Sequence, residues 1–209
     1  MSTRFGIELV MEPAFTARAY RVRNIICGQY ASWAAEMQML RLSVVGYFPC
    51  SDSVLDLLAH GTARLADDSR KRSPHFSNNC RGVATGNGSG AGSEVYLDFD
   101  ASNPNHPLMA LHRDAINLLG ELPGAERPPE PDGFHPKIHL MEHASLPPTV
   151  MADALEFAKG VAIDVGVPTV ARAWRLELLR YHSEAAGDDW GQGGWAADLR
   201  WEHVSSYVV

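Results

Sequence analysis

The sequence has few cysteines and no long apolar segment. Its three cysteines, Cys27, Cys50 and Cys80, are widely spaced and form no C-x-x-C pair, so neither a zinc site nor a redox motif is indicated. No stretch has the length and apolar character of a membrane span, and the first residues lack the apolar run of a signal peptide. We therefore expect a cytoplasmic protein with reduced thiols and no membrane partner.

Positive charge is also scarce. The 209 residues include 18 lysines and arginines and 25 aspartates and glutamates, which gives a formal net charge of -7. Broad binding to nucleic acid needs a basic surface, so the composition argues against that class of protein. A small cationic pocket stays compatible with it. The length suits one large domain or two small lobes.

Two alternating segments carry the residues of greatest chemical interest. The first surrounds Arg41 and Ser43 in the run LRLSVVGYFP, and the second surrounds Lys137 and His139 in the run FHPKIHL. Each pattern predicts a β-strand, in which residues two apart point to the same side. Arg41 and Ser43 are therefore expected to share one face of their strand, and Lys137 and His139 one face of theirs.

The remaining pattern predicts an α+β protein. Strand and helix signals alternate in both halves of the chain, and a Pro-rich segment separates the halves. We predict a single two-lobed domain over residues 1–209, with lobe one at about 1–122, lobe two at about 132–209, a crossover at 123–131, and strands that the lobes can exchange. Strands are predicted at 5–10, 39–47, 76–83, 94–100, 134–141, 171–181 and 195–204, and helices at 12–26, 51–65, 106–119 and 148–163.

The order of these segments resembles the 2H phosphoesterase superfamily, also called the 2'-5' RNA ligase family. The resemblance rests on the runs FGIEL, EVYLDF, LMALHR and RLELLRY and on the two alternating segments. It implies a two-lobed fold in which central antiparallel sheets form a cleft with helices outside, and in which the two signature strands lie side by side. It also implies that Arg41 and Lys137 stand at the positions of the family's two histidines, and His139 at a threonine position.

These replacements alter the chemistry that the resemblance implies. In that family one histidine acts as general base and the other as general acid on a phosphodiester. Arginine stays charged and an ordinary lysine is protonated at neutral pH, so neither replaces histidine directly. The implied substrate-binding residues are Arg41 and Ser43, and the implied catalytic residues are His139 and Lys137. Little turnover of 2',3'-cyclic nucleotides or 2'-5' linked RNA is expected.

Three functions stay open. The first is a 2H phosphoesterase-like enzyme with a remodelled cationic site, which acts on a small phosphorylated or nucleotide-like substrate through His139. The second is a lyase, cyclase or isomerase in which the neighbouring Arg41 makes Lys137 partly neutral and therefore a base or nucleophile. The third is a non-catalytic ligand- or partner-binding domain. The expected partner is a small anionic molecule, and no cofactor is expected. Alanine at Arg41 or at Lys137 should leave the fold intact, because it removes one of two like charges that repel each other.

Three other patterns have weaker functional interpretations. His135, His139 and His143 would place the outer two side chains roughly 26 Å apart on a strand, at about 3.3 Å per residue, so no metal site is predicted. The glycine run at 86–92 lacks the lysine of a P-loop and precedes a strand, which favours a mobile connection or a lid over the cleft. The run WGQGGW at 190–195 is either a turn or an aromatic edge that stacks a flat ligand.

Overall fold

The computed structural model describes residues 2–87, 93–128, 133–190 and 192–209. In this part of the chain the strands and helices follow one another in the predicted order. The strands are β1 (Ser2–Met11), β2 (Leu42–Phe48), β3 (Ser77–Asn87), β4 (Ser93–Phe99), β5 (Lys137–Ala144), β6 (Val170–Ser183) and β7 (Arg200–Val208), and the helices are α1 (Pro13–Tyr30), α2 (Leu55–Arg72), α3 (Pro107–Glu121) and α4 (Pro148–Val165).

Within the described residues, seven strands form one antiparallel sheet in the order β2-β1-β6-β3-β4-β5, with β7 paired to β6. Strand β6 joins two parts of this sheet. Its C-terminal part pairs with β1 and β7, whereas only residues 170–172 pair with β3. We call β2, β1, β7 and the C-terminal part of β6 the first wing, and β3, β4 and β5 the second wing. The predicted α+β class, with antiparallel sheets and surrounding helices, is confirmed.

Helix α1 shows how the local sequence determines these elements. Pro13 lies in the first turn, where its missing N–H group has no intrahelical acceptor to lose. Phe15, Ala19, Val22 and Ile26 recur at helical spacing and are fully buried. The helix packs against α4 and β5. Every helix in the described part of the chain is too short or too polar to cross a membrane.

Strand β1 is buried on both faces. Phe5, Ile7 and Leu9 lie on one face and pack with helix residues in the main hydrophobic core. Glu8 lies on the opposite face, on the side of the cleft, but it is 0% exposed. A buried carboxylate needs a compensating charge or hydrogen bonds, so this position already indicates a polar cluster beneath the cleft.

The prediction that the strands of Arg41 and Lys137 lie side by side is wrong. Strands β2 and β5 stand at opposite ends of the strand order of the described sheet. They nonetheless come close, because the two wings face each other across the cleft. Alternation shows which residues share a face of a strand, but it carries no information on which strands become neighbours.

Several predicted boundaries also differ. Helix α2 continues past residue 65, where Asp67 pairs with Arg70 and Lys71 at 2.6 Å, one turn further along the helix. Arg41 lies just before β2 and not within it. Strand β7 begins later than predicted because residues 194–197 form a short 3-10 turn.

Strand pairing mixes the two halves of the chain. Strand β1 from the first half pairs with β6 from the second, and β4 pairs with β5. This is the strand exchange that the predicted division into lobes allows, and the division itself stays a prediction. In the crossover, Ala125 forms an isolated bridge with Cys50, and residues 129–131 lie outside the described part of the chain.

Candidate functional site

A small cavity lies between the two wings, where the start of β2 faces β5. We call it the cleft cavity. Its lining includes all four predicted site residues, and its other polar side chains are Arg23, Gln38 and His135. Its volume is about 80 Å³, well below the roughly 300–1,000 Å³ of pockets that enclose drug-sized ligands. The structure therefore brings the four predicted site residues together around a space that suits a single small group.

Arg41 lies in a buried polar cluster beneath the cleft cavity. Its Nε lies 3.3 Å from Glu8 Oε2, and its Nη1 donates a hydrogen bond of 2.6 Å to the carbonyl of Met39. The guanidinium also lies 5.3 Å from the ring centre of Tyr181. The Arg41 and Glu8 side chains are only 5% and 0% exposed. Burial alone would lower the pKa of Arg41, but Glu8 and the nearby tyrosines outweigh it and raise that pKa.

Aromatic side chains enclose this polar cluster. Tyr47 packs against Tyr181, Trp190 and Trp195 at ring-centre distances of 5.0, 5.3 and 5.5 Å. Trp190 and Trp195 are 4% and 1% exposed. Two tryptophans buried this deeply cannot stack a ligand at the surface, so the aromatic-edge interpretation of residues 190–195 is wrong. The rings instead exclude water from the Arg41–Glu8 pair.

Lys137 forms an ion pair with a carboxylate of the neighbouring strand. Its Nζ donates hydrogen bonds of 2.7 and 2.8 Å to the two carboxylate oxygens of Glu94 and lies 5.0 Å from the ring centre of Tyr96. Arg41 has its own carboxylate partner in Glu8. The hypothesis of a partly neutral Lys137 assumes two cations that oppose each other without partners. The structure removes that premise, because each cation is neutralised separately.

His139 lies between two carboxylates. Its Nδ1 is 3.1 Å from Glu142 Oε2, and its Nε2 is 2.9 Å from Glu94 Oε2. The second contact is short but is not aligned as a hydrogen bond. Gln38 Nε2 donates a 2.9 Å hydrogen bond to Glu142. The His139 side chain is 26% exposed, so the ring lies at the wall of the cleft cavity and not beneath it.

A break in the β4–β5 ladder makes the contact between His139 and Glu142 possible. In a regular strand, residues three apart point to opposite faces. Tyr96 pairs with His139, but Val95 pairs with Met141, so β5 has one extra residue at this point. Such a bulge reverses the facing of the residues that follow it. Glu142 thereby reaches the same side of the strand as His139.

These contacts shift the pKa values of the central groups. Burial alone would lower the pKa of His139, but Glu142 and Glu94 overcome this effect and raise it to about 9. Burial alone would raise the pKa of Glu94, whereas His139 and Lys137 lower it to about 2. At neutral pH the cluster is therefore a charged imidazolium between carboxylates.

This shift predicts a pH-dependent stability. Because the folded-state pKa of His139 exceeds its usual value of 6.5, its contribution is fully present below pH 6.5 and is lost as the pH rises through about 9. The loss amounts to about 3 kcal/mol, at about 1.36 kcal/mol per pH unit. Urea unfolding at pH 6, 8 and 10 measures it. His139→Gln should remove most of this fall, and an equally steep fall in that variant would assign it to another group.

The other two histidines of the predicted triplet differ in their contacts, and His143 approaches the same Glu142 carboxylate as His139, at 3.6 Å. His135 Nε2 lies 2.8 Å from Asp98 Oδ1. His143 has a positive φ of 51° and packs against Gly193, where a Cβ atom would lie 2.4 Å from the imidazole ring. Among the described residues, no group of three or more His, Cys, Asp or Glu side chains is placed to hold a metal ion.

The acidic partners are the residues that the sequence analysis missed. Glu8, Glu94 and Glu142 are 0%, 5% and 9% exposed, and each contacts one or two of the predicted site residues. A signal was present, because each glutamate lies within or directly beside an apolar strand segment, where an unpaired charge is expensive. Ser43 lies opposite Glu8 in the β1–β2 ladder and is exposed. Its role stays a prediction.

Comparison with solved structures shows that the chain has a known fold. No protein-family model and no curated protein sequence matches the chain. A crystal structure described as a phosphoesterase is similar at 14% identity, over 100% of this chain and 99% of the other, with a TM-score of 0.55. Escherichia coli LigT with 3'-AMP is similar at 15% identity, over 99% and 98% of the two chains, with a TM-score of 0.56.

The chain has the LigT fold. The apo form of E. coli LigT supports the same conclusion, at 15% identity over 100% of this chain and 99% of LigT, with a TM-score of 0.54. At this level of identity the similarity establishes the fold alone. The resemblance to 2H phosphoesterases is thus confirmed for the architecture, and the LigT-like fold extends over the whole length of the chain. The chemistry must be argued from the cleft itself.

Proposed function

We propose that this chain is a 2H phosphoesterase-like enzyme whose remodelled cleft acts on a small anionic substrate, phosphorylated or nucleotide-like. The observation that carries this proposal is the convergence of Arg41, Ser43, Lys137 and His139 on one cavity of a LigT-like fold. E. coli LigT has been crystallised with 3'-AMP, with phosphate and with ATP. Each of these ligands carries phosphate oxygens, and we propose the same ligand class for this cleft.

Each side chain has a distinct proposed role. His139 transfers the proton, and its raised pKa makes it a proton donor at neutral pH, so it acts as the general acid. Lys137 binds an anionic oxygen as a point charge, and Ser43 donates a hydrogen bond to another. Arg41 supports the site from below, through its field and its contact with Glu8. The cavity accommodates the phosphoryl group, and the rest of the substrate extends along the cleft.

A second candidate is a non-catalytic ligand-binding domain. The observation that favours it is charge balance, because Arg41, Lys137 and His139 are each matched by a carboxylate. A cation that already has a carboxylate partner attracts an anion less strongly than an unpaired cation does. Turnover, and not binding, separates this candidate from the enzyme.

Lys137→Ala tests the proposed anion site. The variant should bind inorganic phosphate and 3'-AMP roughly ten- to a hundredfold more weakly, because it loses a charge-assisted hydrogen bond. Calorimetry at low and high salt measures the affinity, and release of product from a panel of small phosphate esters measures turnover. Lys159→Ala is the matched control, since Lys159 pairs with Glu156 on the surface of α4.

The outcomes separate the two candidates. Turnover that falls in Lys137→Ala but not in Lys159→Ala supports the enzyme. Phosphate binding that depends on Lys137, without turnover of any ester, assigns the cleft to a binding domain. If the wild-type protein neither binds phosphate nor turns over an ester, both candidates are contradicted.

A further inference from the structure

One internal carboxylate holds both cations of the second wing. Glu94 accepts hydrogen bonds of 2.7 and 2.8 Å from Lys137 Nζ, and its Oε2 lies 2.9 Å from His139 Nε2. We infer that the Glu94 carboxylate occupies the anion subsite of the cleft, and that the anionic group of the substrate binds by taking its place between Lys137 and His139. The inference rests on the proposed function and specifies where its substrate is held.

The exposure of the ion pairs favours this location. The Lys137 and His139 side chains are each 26% exposed and line the cleft cavity. Arg41 also lines this cavity, but its side chain is only 5% exposed, and its partner Glu8 is 0% exposed beneath it. An incoming anion can reach Lys137 and His139 if the Glu94 side chain alone moves. To replace Glu8 at Arg41, it would have to open the packed cluster.

The anchoring of the two carboxylates at His139 also differs. Glu142 accepts a hydrogen bond from Gln38 in addition to its contact with His139, and His143 lies 3.6 Å away. Among the described residues, the carboxylate contacts of Glu94 are those with Lys137 and His139. Within the described part of the chain, Glu94 is therefore held by the same two groups that a substrate anion would itself use. An anion that replaces it regains these contacts.

The backbone opposite Glu94 leaves room for its carboxylate. Gly86 pairs with Glu94 in the β3–β4 ladder, and a Cβ atom at Gly86 would lie 3.0 Å from Glu94 Oε1. The rest of the predicted glycine run, 88–92, lies outside the described residues. In this position the carboxylate presents two oxygens to Lys137 and one to His139. A phosphoryl group or a ligand carboxylate presents oxygens in the same way, so the ligand class is an anion with two or more oxygens on one atom.

Glu94→Gln tests the inference because this substitution in the cleft should strengthen anion binding. Removal of the internal anion should strengthen binding of inorganic phosphate roughly ten- to a hundredfold, because the ligand no longer competes with a charged partner for Lys137 and His139. Calorimetric titration with phosphate and with acetate measures the gain. A larger gain for phosphate indicates a phosphoryl ligand, and a larger gain for acetate indicates a carboxylate ligand.

Asp98→Asn is the matched control. Asp98 lies on the same strand and its carboxylate is 19% exposed, but its contacts in the described part of the chain are with His135 and Arg81. The Asp98→Asn substitution also removes one negative charge, but it leaves the Glu94 carboxylate in the anion subsite. Phosphate affinity should therefore change little. Equal gains in both variants would reduce the effect to general electrostatics and overturn the inference, as would no gain in Glu94→Gln.

A measurement on the wild-type protein covers the case in which Glu94→Gln does not fold. Addition of phosphate should shift the ¹⁵N resonance of His139 Nε2 more than that of Nδ1, because only Nε2 changes its partner. Equal shifts, or none, would contradict the inference. The result is independent of turnover. If Glu94→Gln binds phosphate more tightly but the protein has no esterase activity, only the proposed enzyme is contradicted. If the protein is active but Glu94→Gln does not bind phosphate more tightly, only the proposed subsite is contradicted.

Discussion

Replacement of His139 by glutamine should lower kcat for the phosphate esters that this cleft converts by about 10²–10⁴-fold, the usual contribution of a general acid or base. Glutamine keeps the approximate size and polarity of the side chain, but it neither gains nor loses a proton near neutral pH. Lys137 retains its ammonium group for the anion, so KM should change much less than kcat. Steady-state kinetics of both proteins with the same ester provide the measurement.

His60→Gln is the matched control for this experiment. His60 lies on α2, is exposed, and interacts with the carbonyl of Asp56 at 2.7 Å, outside the cleft. Its replacement should leave kcat within the error of the wild-type value. If His139→Gln keeps full activity, His139 is a structural cation between Glu94 and Glu142, and the general acid must be sought elsewhere. The same result combined with phosphate binding favours the binding domain.

Replacement of Arg41 by methionine should destabilise the fold by about 3–5 kcal/mol, because it leaves the carboxylate of Glu8 buried without its cation. Glu8 is 0% exposed and keeps a hydrogen bond of 3.1 Å from the hydroxyl of Tyr181. From the sequence alone, loss of Arg41 is expected to spare the fold because it relieves repulsion from Lys137. Its premise is wrong, since Arg41 is paired with Glu8. Urea unfolding at neutral pH measures the loss.

A second substitution and a surface control make this result specific. Glu8→Gln in the Arg41→Met background removes the stranded charge, so the double variant should recover part of the lost stability. Arg70→Met removes an arginine of the exposed pair with Asp67 and should change stability little. If Arg41→Met costs no more than Arg70→Met, the buried pair makes no large contribution and the proposed role of Arg41 beneath the site is contradicted.

The sequence alone determined the elements and their order, because hydrophobic periodicity is a local property. The alternation around Arg41 and Lys137 and the proline at the start of α1 each depend on a few neighbouring residues. The resemblance to 2H phosphoesterases added the fold, and it identified four side chains that line one cavity. These conclusions needed no knowledge of which strands pair.

Only the tertiary structure determined the partners of those side chains. Glu94 reaches Lys137 through the register of β4 with β5, and Glu142 reaches His139 only because a bulge in β5 changes the side to which it points. Glu8 lies beneath Arg41 because β1 pairs with β2. Register, bulges and strand order are fixed by contacts between residues far apart in the chain, and local patterns do not record them. The sequence therefore indicated a cationic cleft, whereas in the folded chain Arg41, Lys137 and His139 each contact a carboxylate.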